Sequence, residues 1–356
     1  MVRFPRYKAT YSTRETSVFS PGAQSLLKLL GDSLYEPTDT SVQLSAFRNC
    51  LKSLSPYAYR IAQAEIRDLA GLYYSHLMPR VDASHRNTFE NKFQQEVDLP
   101  FLLLFDGNGY NRERALSKIR GRLKSPIEVI ALADLANNWV EPVRQAALIA
   151  IDRSYPDTDP NALAGSFSFL AQNQKSWKRW SKDASQRVMS YFHKPEVMEL
   201  VANRLEAGKE PRGSRTLSYA LQSENFDPYL ERILRSSKDA SLRARALTTL
   251  LNWQAAWVTD YKWKWIDKSL GKRKRVAAIS TRKLSIQPLK KPLLLAALTD
   301  KSAQIRKIAA QGVIDHGKEL GLPIAEIALQ LELDSSENVR RRGEYLNHKI
   351  RKNKIS

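Results

Sequence analysis

The sequence predicts an all-α fold, a stack of helical pairs, from one repeated pattern and two general features. Six times a helix-capping residue is followed by five residues, an Arg, and small apolar residues at helical spacing. A pattern that recurs in this way predicts helical pairs that bury their apolar faces only against neighbouring pairs. Glycine is scarce, at 14 of 356 residues, which favours helices over a turn-rich β fold. The chain is also longer than the ~250–300 residues at which a single core stops growing, and a stack avoids that limit.

The six copies of the pattern predict the start of the second helix of each pair. The capping oxygen accepts hydrogen bonds from free N–H groups there and stabilises the helix by ~1 kcal/mol. The Arg lies one turn further in, where it can bond the cap of its own repeat or the carbonyls of its neighbour. We therefore interpret these arginines as a structural ladder that joins repeats; the alternative is a row of ligand-binding cations. The copies run from Asp106 to Arg112, Asn138 to Arg144, Ser181 to Arg187, Ser237 to Arg243, Asp300 to Arg306 and Asp334 to Arg340.

The chain divides into five predicted segments. Residues 1–20 read as a basic, Ser/Thr-rich irregular arm, and residues 21–98 as an N-terminal helical cap. The cap has apolar residues at helical spacing but no cap-to-Arg pattern, as is typical of an end that shields the first repeat. Repeats are predicted over 99–252 and again over 292–356, which includes a basic C-terminus. Residues 253–291 form a Trp-rich basic insertion between them.

Prolines mark the predicted first helix of each pair. Proline is tolerated at the first helical position because its missing N–H would be unpaired there in any case. The predicted starts lie near Pro126, Pro160, Pro195, Pro228, Pro292 and Pro323.

Two copies of the pattern are similar to a known family. The segments Asn138-Trp-Val-Glu-Pro-Val-Arg-Gln-Ala-Ala147 and Asp300-Lys-Ser-Ala-Gln-Ile-Arg-Lys-Ile-Ala309 resemble the start of the second helix in HEAT repeats. The resemblance covers about residues 99–350 and implies an armadillo-like α-α superhelix, or solenoid. The spacing is irregular, and the longest insertion falls between Arg243 and Arg306. HEAT folds host many unrelated activities, so the resemblance implies no particular function.

The charge of the chain indicates a polyanionic partner. The formal net charge is +20, and residues 260–356 contribute +12 of it through 22 basic and 10 acidic residues. Such an excess attracts nucleic acid, an anionic membrane or an acidic protein.

The insertion over 253–291 is the most unusual stretch of the chain. It holds four of the seven tryptophans, followed by a Lys-Arg-Lys-Arg run. Cations neutralise phosphates and aromatic rings stack on exposed bases, so their interleaving predicts a nucleic-acid surface. The alternative is a Trp-rich core helix followed by a solvated basic loop. The run is also similar to a nuclear-localisation signal. The predicted binding residues are Lys262, Trp263, Lys264, Trp265, Lys272, Arg273, Lys274, Arg275, Arg282, Lys283, Lys290 and Lys291.

A smaller cluster has a similar composition. Trp177-Lys-Arg-Trp180, followed by Asp183, resembles the HEAT-like alkylpurine DNA glycosylases. Those enzymes stack helices around duplex DNA and place tryptophans and a carboxylate near the sugar of the lesion. The resemblance implies that role for Trp177, Trp180 and Asp183; we favour helix capping for Asp183.

No other catalytic signature occurs in the sequence. The histidines His76, His85, His193, His316 and His348 show no HExxH spacing, so no metal site is predicted. A single cysteine, Cys50, excludes an internal disulfide and fits a reducing compartment. No apolar run reaches the ~18 residues of a membrane span, and no secretory signal is indicated. We expect no catalytic residue and no cofactor, and a cytoplasmic protein, or a nuclear one in a eukaryote.

These observations favour a non-enzymatic HEAT-repeat scaffold that binds a macromolecular polyanion, with nucleic acid or a nucleoprotein complex as the partner. One alternative is a protein–protein adaptor for an acidic partner. Another is a base-excision glycosylase of the HEAT-like type.

Overall fold

The computed structural model describes residues 17–73 and 83–352. In those ranges the chain is predominantly helical, with 18 α-helices and one two-stranded antiparallel sheet. The prediction of a helical protein compatible with a repeat fold is therefore confirmed, whereas the all-α prediction misses the sheet. The chain forms two compact units, residues 1–197 and 198–356. Most of the predicted arm over 1–20, and His76, lie outside the described residues.

The first unit begins with four helices ahead of the predicted repeats. Pro21 occupies the first turn of the first helix, and the Ser20 hydroxyl caps that helix by accepting from the N–H of Ala23. The four helices are α1 (Pro21–Ser33), α2 (Ser41–Lys52), α3 (Tyr59–Leu69) and α4 (Ala83–Gln95).

The remaining helices of the first unit alternate as the sequence predicts. Pro126 and Pro160 are each the first residue of a helix, and the next helices along the chain contain Arg144 and Arg187 respectively. The helix that contains Arg112 precedes Pro126. These helices are α5 (Leu99–Leu103), α6 (Gly109–Lys118), α7 (Pro126–Leu135), α8 (Glu141–Ser154), α9 (Pro160–Asn173) and α10 (Lys182–Ser190). In this unit α7 packs on α8 and α9, and α6 packs on α8.

A buried ionic cluster joins the first helices of this unit to its repeats. Arg48 on α2 donates Nε to Glu128 on α7 at 2.6 Å and Nη1 to Asp98 at 2.6 Å. Its guanidinium also lies 3.5 Å from the ring centroid of Phe101. A buried cation is stable only when it is paired and hydrogen-bonded, and this cluster meets that condition.

The second unit begins within α11 (Pro195–Glu206). Pro195 starts that helix, Pro292 lies in the first turn of α15, and Pro323 directly precedes α17; Pro228 instead lies in a 3₁₀ turn ahead of α13. The helices that follow α11 are α12 (Gly213–Ala220), α13 (Leu230–Ser236), α14 (Ala240–Asn252), α15 (Lys290–Leu298), α16 (Ala303–His316), α17 (Ile324–Glu332) and α18 (Glu337–Arg351).

The helices of the second unit pack in successive pairs. Helix α13 packs on α14, α15 on α16 and α17 on α18, and the second members α14, α16 and α18 contact one another in turn. Gly343 permits a close approach of α17 and α18, because a Cβ at this position would lie 2.7 Å from the backbone nitrogen of Glu332. The core between the pairs is aliphatic and includes Leu250, Leu294 and Val313.

Arginines and aspartates alternate across the second members of these pairs. Arg243, Arg306 and Arg340 each donate Nη1 to the carbonyl that opens their own copy of the pattern, at 2.8–2.9 Å. Arg243 also reaches the next repeat, where its Nε and Nη2 donate to Asp300 at 3.2 and 3.0 Å. Arg306 donates in the same way to Asp334, at 2.6 and 2.8 Å. We call these five residues the arginine–aspartate ladder.

The corresponding arginines of the first unit make more local contacts. Arg112 donates to the carbonyl of Asp106 at 2.7 Å, and Arg144 donates to the carbonyl of Asn138 at 2.8 Å. Arg187 departs from this arrangement, because its guanidinium pairs with Asp152 on the preceding helix α8. Each of the three is therefore bonded within the helical framework.

The sheet is a hairpin inserted between α14 and α15. Its strands are β1 (Gln254–Asp267) and β2 (Lys272–Lys283), paired antiparallel from Gln254↔Lys283 to Asp267↔Lys272. Irregularities at Thr259 and Ile266 interrupt the register. The alternative expectation of a Trp-rich core helix followed by a basic loop is therefore wrong: both stretches are strands, and most of their side chains are exposed.

Candidate nucleic-acid interface

An ion pair fastens the base of the hairpin to the second unit. Arg282 donates Nη1 and Nη2 to the two carboxylate oxygens of Asp227 at 2.8 and 2.7 Å. Its Nε and Nη2 also donate to the carbonyls of Leu221 and Ser223 at 3.0 and 2.6 Å. The Asp227 side chain is fully buried and also accepts from the N–H of Ser285 at 2.8 Å. Arg282 was predicted to bind nucleic acid, but its donors are engaged in this anchor.

Backbone contacts hold the same junction together. Trp253 ends α14 in the left-handed conformation, with φ of 53°, which turns the chain out of the helix. Its carbonyl accepts from the N–H of Leu284 at 3.1 Å, so the chain leaves and re-enters the helical unit at one point. Ala255 is fully buried there, and Arg245 on α14 donates to the carbonyl of Ala256 at 2.5 Å.

Beyond this base the two faces of the hairpin differ in chemistry. Successive side chains of a strand point to opposite faces, and directly paired residues share a face. Trp263 pairs with Arg275, and Trp265 pairs with Arg273, so rings and guanidinium groups lie on one side. Tyr261 lies two residues before Trp263 and shares this side. We call Tyr261, Trp263, Trp265, Arg273 and Arg275 the aromatic–arginine face.

Lysines occupy the opposite face. Lys264 pairs with Lys274, and Lys262 pairs with Val276, one position out of phase with the aromatic residues. Lys272 alternates with Arg273 and joins the same side. We call Lys262, Lys264, Lys272 and Lys274 the lysine face. Asp267 pairs with Lys272 and so shares this face. The remaining ammonium groups repel one another unless an anion lies between them.

The guanidinium groups lie over the rings instead of pointing into solvent. The Arg273 Cζ is 4.6 Å from the ring centroid of Trp263, and the Arg275 Cζ is 4.4 Å from that of Tyr261. These distances are within the ~6 Å range of cation–π attraction, which contributes ~0.5–1 kcal/mol at exposed sites. The three rings Tyr261, Trp263 and Trp265 nevertheless remain 48%, 60% and 50% exposed.

The tip of the hairpin is a tight polar turn. The Oδ1 of Asp267 accepts from the backbone N–H and the hydroxyl of Ser269, at 2.9 and 2.6 Å. These hydrogen bonds, with one from the N–H of Leu270, lower the pKa of Asp267 and keep the carboxyl charged. Gly271 closes the turn with φ of 64°, a conformation that favours glycine.

Positive charge dominates the described hairpin. Eight of its nine cations have exposed side chains, and Asp260 and Asp267 are its two acids. The exposed cations are Lys262, Lys264, Lys268, Lys272, Arg273, Lys274, Arg275 and Lys283. An electropositive ribbon of this kind can neutralise several phosphates at once.

The last predicted binding residues lie away from the ribbon. Lys290 lies 5.0 Å from the ring centroid of Trp253, and Lys291 donates to the carbonyl of Gly321 at 3.0 Å. Both lysines are in the first turn of α15. Conversely, the sequence-based site omitted Tyr261 and the anchor Asp227. The period-two alternation of lysines with aromatic residues could have identified Tyr261, whereas no local signal indicated Asp227.

The tryptophans of the smaller cluster are core residues. Trp177 and Trp180 are 5% and 9% exposed and meet edge to face, with their centroids 4.8 Å apart. The indole N–H of Trp180 donates to the carbonyl of Ala133 at 3.2 Å. Ser181 caps the following helix, and Asp183 is exposed in its first turn. Neither ring is available to stack on a base, so the glycosylase-like role implied for this trio has no support in this geometry.

Comparison with models of known protein families and with curated proteins finds no match. Within residues 17–73 and 83–352, no helix combines the length and the apolar character that a membrane span requires. In the same ranges no three His, Cys, Asp or Glu side chains cluster in a way that suits a metal ion.

Proposed function

We propose that this protein is a helical-repeat scaffold of the HEAT type that binds nucleic acid through its hairpin. The second unit supports the hairpin, and the ribbon of β1 and β2 supplies the contacts to phosphates and bases. No catalytic step is part of the proposal.

The repeat part of the proposal is supported by the recurrence of one local arrangement. Three consecutive second helices of the second unit carry an Arg that bonds the start of its own pattern, and two of these also bond an Asp of the next repeat. A bond that links each unit only to its neighbour is typical of a solenoid.

The binding part rests on the ribbon of exposed cations and rings. A buried hairpin would place its aromatic residues against the helices, but Trp263 and Trp265 are at least half exposed. An acidic protein would pair with the cations yet give the rings no particular partner. Nucleic acid uses both, because its phosphates pair with Lys and Arg and its bases stack on aromatic rings.

The first test changes Lys272, Arg273, Lys274 and Arg275 to Ser and measures affinity against salt. Each phosphate contact contributes ~0.9 to the log–log salt slope on duplex DNA, so losing four flattens the slope by ~3–4 units. Fluorescence anisotropy of labelled duplexes between ~50 and ~200 mM salt gives the slope. A matched control changes four exposed lysines outside the hairpin, Lys238, Lys301, Lys307 and Lys318, to Ser.

The control should leave the slope nearly intact. Equal flattening by both variants means that binding follows total charge, and the proposal fails. If the wild-type protein binds neither DNA nor RNA at ~50 mM salt, the nucleic-acid function is wrong and the adaptor for an acidic protein takes its place.

A second variant removes the ribbon and keeps its anchor. Residues 258–279 are replaced by Asn-Gly, so the paired residues Trp257 and Ser280 flank a two-residue turn. Arg282 and its partner Asp227 remain. Circular dichroism should keep its helical signal, while affinity for nucleic acid falls to that of the scaffold alone.

A further inference from the structure

The hairpin presents two kinds of surface to a nucleic acid, and they suit different parts of it. The lysine face offers ammonium groups, which pair with phosphates of any strand, duplex or single. The aromatic–arginine face offers the planar surfaces of Tyr261, Trp263 and Trp265, which phosphates do not use. A ligand that engages both faces must therefore expose planar groups as well as charge.

Cation–π contacts restrain two of the three rings. Arg273 lies over Trp263 and Arg275 lies over Tyr261, which restrains both rings and leaves them about half exposed. Trp265, the aromatic residue nearest the tip, has no guanidinium or ammonium over its ring among the described contacts. At 50% exposure its indole is open to a further planar partner.

In a duplex, base pairs stack on each other and hide their faces; unpaired bases expose them. Stacking of one unpaired base on an aromatic side chain contributes ~1–3 kcal/mol and depends little on sequence. Alternate residues of a strand lie ~6.7 Å apart, so the three rings span ~13 Å. Each ring can stack on one unpaired base, so the three rings suit about three nucleotides of a single strand.

We infer that the aromatic–arginine face binds the unpaired bases of single-stranded nucleic acid, over a site of about three nucleotides. This inference rests on the proposed function and adds its ligand class. The lysine face, with Arg273 and Arg275, supplies the strand-independent contacts to phosphates, so duplex DNA binds through the cations without the rings and more weakly. The exposed faces of unpaired bases are common to DNA and RNA, so both kinds of strand are tested.

The experiment replaces Trp265 with Ala and measures anisotropy with labelled dT12, rU12 and a 12-bp duplex. Losing one stack lowers affinity for the two single strands ~5- to 100-fold. Affinity for the duplex should change less than twofold, and the salt slope should stay as in the wild type. Trp265→Phe, which keeps a planar ring, should recover most of the lost affinity. Trp265 is half exposed near the tip, and far-ultraviolet circular dichroism checks that the variants fold.

Lys264→Ala provides the matched control on the opposite face. It should weaken single-stranded and duplex binding together and lower the salt slope by ~0.7 on single strands and ~0.9 on duplex. If Trp265→Ala leaves single-strand affinity unchanged, or weakens duplex equally, the inference is overturned. The proposed function then still stands if the four-cation variant flattens the salt slope. If the wild-type protein binds none of the three ligands, both the inference and the proposed function are overturned.

Discussion

Arginines of the second unit occupy two contrasting settings, the arginine–aspartate ladder and the hairpin. In the ladder, Arg243 and Arg306 are largely buried and bond both a carbonyl and a carboxylate. On the hairpin, Arg273 and Arg275 are exposed and lie over aromatic rings, and each faces an aromatic residue directly across the strands. The ladder guanidinium groups have their hydrogen-bonding partners within the fold, whereas those on the ribbon are accessible to a ligand.

Charge alone does not identify a binding surface. Arg282 lies in strand β2 of the hairpin, but its guanidinium forms a bidentate pair with the buried Asp227. It therefore stabilises the helical unit. Burial and the partner of each cation therefore separate arginines that stabilise the fold from arginines that remain accessible to a ligand. Removing an arginine that stabilises the fold should lower the free energy of unfolding more than the affinity for nucleic acid. Removing an exposed arginine of the hairpin should lower the affinity more than the free energy of unfolding.

The largest expected effect comes from Arg282→Ala. Removing the cation leaves the fully buried carboxylate of Asp227 without its ion-pair partner. Breaking a buried pair in this way costs ~3–5 kcal/mol in the free energy of unfolding. Urea denaturation measures the loss, with the exposed Arg275→Ala as the control. A loss below ~1 kcal/mol would mean that the anchor is dispensable.

Arg306→Ala should give an intermediate effect. The variant loses hydrogen bonds to the carbonyl of Asp300 and to the carboxylate of Asp334, at a net cost of ~2 kcal/mol. Thermal denaturation should report it, while affinity for nucleic acid stays near that of the wild type. The reverse result, intact stability with lost binding, would place this arginine on a ligand surface.

The same variant has a characteristic response to pH. Hydrogen bonds from Arg306 lower the pKa of Asp334, so the pair contributes fully above the unfolded pKa of ~3.9. That contribution is lost as pH falls through the lower folded pKa. The stability gap between wild type and variant should therefore be constant above pH ~5 and narrow below pH ~4. A gap that widens on acidification contradicts the assignment.

The smallest effect on stability is expected for Arg273→Ser combined with Arg275→Ser. Exposed cations contribute little to folding, and two cation–π contacts add at most ~1–2 kcal/mol together. The melting temperature should shift less than in Arg306→Ala, although affinity for nucleic acid falls. A larger loss of stability than in Arg306→Ala would indicate that the ribbon is part of the framework.

Local signals explain why so much of the helical framework could be predicted. Prolines at helix starts and apolar spacing act within one or two turns, so Pro126, Pro160 and Pro195 mark helix starts correctly. Of the six predicted caps only Ser181 is the N-cap of its helix, and the other five lie two residues before the N-cap. The path of a superhelix depends on contacts between repeats, and the sequence pattern does not determine it.

The hairpin was missed for a physical reason. Strands are usually recognised by alternation of apolar and polar residues, whereas here lysines alternate with tryptophans and then with arginines. The four-residue spacing of Trp253 and Trp257 also mimics a helical stripe. Composition marked this segment as the candidate binding surface, but the structural role of Arg282 depends on Asp227, 55 positions earlier in the sequence.

The hydrogen bond that joins Leu284 to Trp253 has an evolutionary consequence. Because the two ends of the insertion lie side by side, we expect that the ribbon can lengthen, shorten or change sequence without moving α14 and α15. The base of the ribbon is constrained, because Arg282 and Asp227 form a bidentate pair and must be retained or replaced together. Selection for a different ligand can then act on the ribbon alone, and related chains should vary most in this segment.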